Sequence, residues 1–525
     1  MSEFPQTDDH GVDREVVIVG GGHNGLVAAA YLARAGLSVT VLEADDRFGG
    51  AVASAQIFDG VEITLSRFSY LVSLLPQQII DDLDLDLDLR SRRIASYTPV
   101  GDGGLLVERQ PGEATRTSFE AGPGLAAYAA FQALEAELHR FATAVAPTLT
   151  APLPRAADVR DVVGDELWTD LVQRPIGELI ERTVADDTVR GILLTDALIG
   201  TFASAHSRQL AQNRCFLYHV VGNGTGEWKV PVGGMGTVAA ALENAATFAG
   251  AELRTGAEVR GLEPYDGGVT VRLADGEMIN AKTVLANCAP VTLAGLLGES
   301  GVRPEGAQVK INIVLRRLPA FRSGIDPATG FAGTLHLNQS YAQLEQAYAA
   351  AVSGRVPDPL PCESYCHSLT DPSIVAPGLR EQGFHTLTIF GLHTPARLFE
   401  QDHDTVREQV RQAALASLQS VLAEPLTDCI ARDAHGDLCI EVMSPQDVER
   451  EARLPGGQIF HGDLDWPWLA DGEEPTTPAE RWGVATNHPS ILLCGSGARR
   501  GGAVSGLGGH NAAMALLEQL GLPGT

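Results

Sequence analysis

The sequence predicts an α/β chain whose central unit is a Rossmann-like dinucleotide-binding domain. Three stretches predict it. "VVIVGGGHNGLVAAAYLARAG" (16–36) reads as an apolar strand, a glycine turn and a helix, and "SVTVLE" (38–43) as the next strand, closed by an acid. About 470 residues later, "LCGSGARRGGAVSGLGGHNAA" (493–513) repeats the strand, glycine turn and helix without the acid.

The first strand, 15–19, is short, apolar and β-branched, as a strand buried on both faces requires. Gly20, Gly22 and Gly25 follow in G-x-G-x-x-G spacing. Gly20 makes the sharp turn, Gly22 lets the backbone approach a pyrophosphate, and Gly25 lets the helix lie close to the strand. The spacing of Leu26, Ala29 and Leu32 predicts a helix over 24–35, ended by Gly36. Its first turn offers free N–H groups and a partial positive charge to phosphate, with His23 and Asn24 inside the turn. His23 reads as structural there.

Glu43 stands 18 residues beyond Gly25, where a carboxylate accepts both ribose hydroxyls and repels a 2′-phosphate, against NADP. Ala44 then opens "ADDRFGG", in which Arg47, Gly49 and Gly50 complete E-x₃-R-x-G-G. An arginine and a glycine pair so close to the acid suit an extended dinucleotide running away from its adenine. A turn with a surface arginine is the alternative.

The C-terminal segment has Gly495 and Gly497 but no third glycine in register and no acid on a following strand. It is not a second dinucleotide site. It still supplies backbone N–H groups along Gly495, Gly497, Gly502, Val504, Ser505 and Gly506, and a helix start for 506–520. The reading is one FAD held by both ends of the chain, adenosine on 20–50 and flavin on 495–511.

These motifs resemble the FAD-dependent amine oxidase and phytoene desaturase superfamily. E-x₃-R-x-G-G is similar to its signature, and 493–513 to its closing motif along the ribityl chain and isoalloxazine. "GTGEWKVPVGGMGTVAAALENAATFAGAELRTGAEVRGL" (224–262) resembles its middle segment, in which a strand near Val259 gives backbone to adenine. "KTVLANCAP" (282–290) resembles the strand returning to the sheet. A narrower likeness, at 65–85, 310–319 and 456–464, is to pyridine nucleotide-disulphide oxidoreductase domain-containing protein 2 and its bacterial relatives. Carotenoid desaturases carry an acid and glycine where this chain has "EITLSRFSY", which sets it beside those enzymes rather than among them. Disulphide chemistry is excluded, because no cysteine precedes Cys215 and no full second glycine motif exists for NAD(P)H.

The resemblance implies an FAD-binding domain of glutathione-reductase and amine-oxidase type, with an inserted α+β substrate domain and a helical cap. The FAD domain is expected from 12–100, 225–300 and 455–525, the cap from 101–224, and the mixed sheet and helices from 301–454. "DDLDLDLDLR" (81–90) reads as a solvated helix end followed by a half-buried strand.

Composition narrows the partners. A net charge of −28 repels nucleic acid, so the partner is a small, uncharged, cationic or lipophilic molecule. Residues 1–14 are polar, with no secretory or twin-arginine signal, and no run reaches about 18 apolar residues. A cytoplasmic setting is expected, with peripheral membrane contact and oligomeric state left open. Seven cysteines make no dense framework. Cys362 and Cys366 read as partly buried strand residues, zinc being the alternative, and no metal site is expected.

Catalytic candidates are few because flavin carries the redox chemistry. The chain has three lysines against 35 arginines, so a retained lysine suggests use of a compact, titratable ammonium. Lys310 opens a strand of the substrate domain, and the resemblance gives it a water near flavin N5; a strand-end charge is the alternative. Trp228, beside Lys229, is placed to reach flavin or to pack. His461 and His510 lie in family motifs near the flavin, as proton carriers or helix-start hydrogen bonders. Arg499 and Arg500 are either charge partners of reduced flavin or loop surface.

The leading function is an FAD-dependent oxidoreductase that dehydrogenates a lipophilic or amine-like molecule by hydride transfer to N5, with oxygen or a quinone as acceptor. The alternatives are an isomerase or hydratase using reduced FAD without net turnover, and a flavin-stabilised binding or assembly protein.

Overall fold

The computed structural model describes residues 13–72 and 74–524; of the polar residues 1–14, all but the last two lie outside these. Strand β1 (Arg14–Val19), helix α1 (His23–Arg34) and strand β2 (Val39–Leu42) form the predicted unit. Their bounds differ from the sequence expectation by about a residue at each end.

β1 lies at the centre of a seven-stranded sheet. It pairs in parallel with β2 on one side and with Met278–Ala286 on the other. β2 in turn pairs with Glu252–Arg254. The C-terminal strand Ile491–Leu493 joins in parallel on the far side of Met278–Ala286, with Val284 opposite Ile491. An antiparallel meander, Val259–Tyr265 and Gly268–Leu273, completes the sheet. Its parallel strands are buried on both faces, which explains their unbroken apolar runs.

α1 is buried from His23 to Ala33 because helices lie against it as well as the sheet. Helix Met235–Phe248, opened by the G-G-M-G turn, packs on one side and helix Leu507–Leu520 on another. The second contact is close enough to need glycine. A Cβ on Gly509 would stand 1.9 Å from the Asn24 carbonyl oxygen, and one on Gly508 2.5 Å from that of Gly495. The glycines of the C-terminal motif thus serve backbone approach between the two ends of the chain.

The second sheet is mostly antiparallel and also seven-stranded. Its order is Ile440–Met443, Val309–Leu315, His385–Gly391, Cys362–Tyr365, Thr334–Leu337, Ile94–Val100, Gly103–Glu108. The last two strands form a hairpin, so the division expected at residue 100 falls inside it, and 94–100 belongs to this sheet. Helices between 113 and 221, led by Leu125–Val145, form a separate core around Phe141, Trp168 and Trp468. Gln77–Asp82 is the helix, and Leu89–Arg90 the short strand, of the alternating acidic stretch. Cys362 lies on its strand and Cys366 just beyond it; both are buried, and the seven cysteines are free.

The Gly509 contact gives a direct test. Gly509→Ala is expected to lower unfolding free energy by about 1–3 kcal/mol through overpacking. Gly295→Ala, exposed on helix Pro290–Leu296 with open space around it, is expected to be neutral or mildly stabilising. Denaturant unfolding of the two purified variants checks the contrast; equal midpoints would refute the packing account.

Candidate active site

A cavity of about 310 Å³ runs between the two sheets, and both glycine turns line it. At one end lie Gly20, Gly22, His23, Asn24, Glu43, Ala44, Gly50 and Val259; Ser496, Ala503 and Val504 come from the C-terminal motif. Tyr70, Trp228, Lys310, Phe390 and His461 line it as well.

The dinucleotide end is preshaped by hydrogen bonds from distant stretches. Glu43 is buried, and its two carboxylate oxygens accept from the N–H of Gly21 (2.7 Å) and of Asp45 (2.9 Å). Asn287, just after Met278–Ala286, donates its amide to the carbonyls of Gly20 (2.9 Å) and Gly22 (3.3 Å). The Gly49 N–H donates to Gly21, tying E-x₃-R-x-G-G to the first turn (2.9 Å). His23 donates Nε2–H to the Ala503 carbonyl (2.9 Å), and Asn24 Nδ2–H reaches Ser496 Oγ (3.5 Å). Burial lowers the His23 pKa to about 4, so the ring is neutral.

The residues present fit a flavin dinucleotide. α1 starts on Gly22 with no side-chain cap, leaving its first N–H groups to a ligand. Gly20 takes φ +100, and a Cβ on Gly25 would stand 2.4 Å from the Gly20 carbonyl oxygen. Two lining residues, Asn24 and His461, each keep a buried side-chain atom without a partner: Oδ1 in the first, Nδ1 in the second.

Lys310 is the second residue of strand Val309–Leu315 and is 4% exposed. Its ammonium donates to the carbonyls of Ser66 and Phe68 (2.9 Å to the latter) and sits 4.9 Å from the centroid of the Tyr70 ring. Burial pulls its pKa down to about 7, Glu441 and Arg67 acting in opposite directions. The other lysines differ: Lys282 is exposed beside Glu15, and Lys229 pairs by backbone with Val72.

Trp228 stacks on His219, ring centroids 5.1 Å apart. His461 takes φ +66, and burial lowers its pKa to about 4. His510 is away from the cavity lining. It is buried, hydrogen-bonded through Nδ1 to Asn511 (2.9 Å), and packed edge-on against Tyr31 (5.1 Å) and Trp482 (6.1 Å). The geometry therefore corrects its reading as a catalytic residue to that of a helix-packing one. Arg47 is exposed and outside the lining, which corresponds to the surface-turn alternative.

Gly495, Gly497, Gly502, Ser505 and Gly506 also lie outside the lining and shape the turn behind it. A Cβ on Gly502 would stand 2.3 Å from the Tyr218 ring, and Gly506 starts the last helix at φ +71. Arg499 pairs with Glu473, and Arg500 donates to the carbonyls of Thr148, Ala151 and Trp482, so both tie loops together. Gly21, Asn287 and Tyr70 were not singled out, although each lies inside a quoted motif: Gly21 in the first glycine turn, Tyr70 at the end of "EITLSRFSY" and Asn287 in "KTVLANCAP". Among the described residues no group of three or more His, Cys, Asp or Glu is arranged to hold a metal.

A model of the flavin-containing amine oxidoreductases matches residues 25–314. The chain belongs to that family. It is an oxidoreductase whose cofactor is FAD. It is 52% identical to an uncharacterized protein of Mycobacterium tuberculosis over 98% of both chains. It is 30% identical to pyridine nucleotide-disulfide oxidoreductase domain-containing protein 2 of Mus musculus, over 96% of this chain and 94% of that one. A solved structure of a putrescine oxidase mutant shares the fold, with TM-score 0.59 and 19% identity over 97% of this chain and 99% of the other.

Glu43→Ala is expected to yield folded protein with most of its FAD lost, since the Gly21 clamp and the ribose contact go together. The ratio of flavin to protein absorbance after gel filtration checks this; unchanged flavin content would remove Glu43 from the site.

Proposed function

We propose that this oxidoreductase dehydrogenates a small amine-like molecule, removing hydride from the carbon that bears nitrogen, with oxygen or a quinone as final acceptor. FAD, when bound, supplies the two-electron acceptor. Everything else falls to the chain. Glu43, Gly22, Asn24 and the α1 N-terminus would hold the adenosine and pyrophosphate half, and Ser496, Ala503 and Val504 the far half. Tyr70, Trp228 and Phe390 wall the far end of the cavity with aromatic surface and exclude water from the reacting carbon.

Lys310 carries the reading. Two of its N–H bonds are spent on the Ser66 and Phe68 carbonyls, which leaves one position on Nζ for the cavity. As a neutral amine, that position accepts a proton from a water and so draws the proton lost when the amine becomes an imine. Water then completes hydrolysis to a carbonyl compound and free amine. Of the two substrate classes the sequence left open, the amine-like one is better supported than the lipophilic one, because ionisable side chains line a second cavity that shares the Ile199, His219 and Trp228 wall with this one. Seven unpaired cysteines suit a reducing compartment, and we infer a cytoplasmic setting. No helix among the described residues is long and apolar enough to cross a membrane.

Mixing oxygen-free holoprotein with a panel of primary amines is expected to bleach the flavin with at least one of them. The bleaching rate is expected to rise with pH through about 7 as Lys310 loses its proton. Lys310→Met is expected to slow bleaching about 100-fold and to flatten that inflection. Bleaching by no amine, or an unchanged pH profile in the variant, would refute the assignment.

A further inference from the structure

Behind Trp228 and His219 lies a second cavity of about 460 Å³. Ile199 and those two stacked rings belong to the walls of both chambers. Two arginines mark the far one: Arg92, just before strand Ile94–Val100, and Arg109, just after Gly103–Glu108. The hairpin that joins them brings the two stretches together, the Arg109 N–H donating to the Arg93 carbonyl (2.9 Å).

Neither guanidinium has a hydrogen-bonded or ion-paired partner among the described residues, and the Nε of each is buried. Arg92 is 6% exposed and rests only on the Tyr365 ring, 5.6 Å away. Arg500, equally buried, shows the usual arrangement: it donates to three backbone carbonyls. A buried cation without an acceptor is costly, and the cavity in front of Arg92 and Arg109 is where an acceptor would stand.

The nearby acids act on them only through space: Glu227, Asp196 and Glu135 on Arg109 and Glu363 on Arg92, none of them within hydrogen-bonding or ion-pairing distance among the described residues. Glu363, 1% exposed, accepts from Thr195 Oγ1 (2.8 Å) and from the Tyr365 hydroxyl. Burial raises its pKa and that of Glu135, and lifts Asp196 to about 7, and none of the three closes on a guanidinium. Burial lowers Arg92 to about 10, still cationic at neutral pH.

We propose that Arg92 and Arg109 form the anion subsite of this enzyme and bind a carboxylate on its substrate. Paired guanidiniums match a planar carboxylate with two parallel N–H···O bonds. A phosphate dianion is disfavoured, since its second charge meets Glu135, Asp196 and Glu363 across the same chamber. The two ends are linked by short steps: Tyr70 lies beside Lys310, its ring centroid is 5.0 Å from that of Tyr365, and Arg92 lies over Tyr365. The substrate is then an amine that also carries a carboxylate. This rests on the function proposed above for the Lys310 end; the anion subsite itself does not.

The test uses the FAD holoprotein, with benzoate, benzamide and inorganic phosphate as probes in calorimetric titrations. Benzoate is expected to bind about tenfold or more tightly than benzamide, its neutral counterpart, and phosphate is expected not to displace it. Arg92→Gln and Arg109→Gln are each expected to weaken benzoate about tenfold, with FAD content and benzamide affinity unchanged. Equal binding of benzoate and benzamide by the wild-type protein would overturn the proposal, whatever the variants do. So would benzoate affinity unmoved in both variants, or phosphate competing as an equal. Benzoate held at the arginines in a protein whose flavin no amine bleaches would refute the proposed function and leave the subsite standing.

Discussion

The glycine turn at 20–25 has almost no side chains with which to hold its own shape, so that shape is imposed from outside. Glu43 takes the Gly21 N–H, Asn287 donates to two carbonyls, Gly49 donates to a third, and His23 reaches across to Ala503. Each bond contributes only about 0.5–1.5 kcal/mol net. Together they fix a backbone that would otherwise spend ligand-binding energy on becoming ordered. The order of strands in the first sheet follows the same need. β2 brings Glu43, Met278–Ala286 brings Asn287, and Ile491–Leu493 brings the C-terminal turn, all at the carboxyl ends of parallel strands.

The nucleotide half of this arrangement was legible because its signals are local. A β-branched run, glycines at fixed offsets and an acid closing the next strand depend on neighbours within about thirty residues. The C-terminal motif was legible by subtraction, since it lacks the acid that an independent site needs. Other features hang on directions that sequence does not carry. His510 follows a glycine pair and looked poised for chemistry, yet its place on the helix turns it toward Tyr31 and Trp482. Arg47 occupies the right register and still faces solvent. The hairpin at 94–108 straddles a boundary drawn from resemblance alone, because strand–strand partners such as Thr334 and Ser96 lie far apart in the chain.

Charge teaches a related lesson. The chain carries −28 overall, and that figure bears on long-range encounter rather than on any one site. Inside, an arginine pair stands without partners a few side chains from a lysine whose neutral form is accessible at ordinary pH. The scarcity of lysine did single out Lys310, because its compact head fits between two carbonyls where a guanidinium fork would not. Nothing in the abundance of arginine singles out Arg92 or Arg109; only the absence of acceptors around them does.

The seam between Asn24 and Gly509 has a consequence for the nascent protein. At ordinary translation rates of about 5–20 residues per second, roughly half a minute to a minute and a half separates the emergence of the two surfaces from the ribosome. Through that interval the first helix exists without its final cover, an apolar surface open to chaperones or to self-association. Only once residues 496–509 have been made can the turn at 20–25 gain its contacts to Ser496 and Ala503.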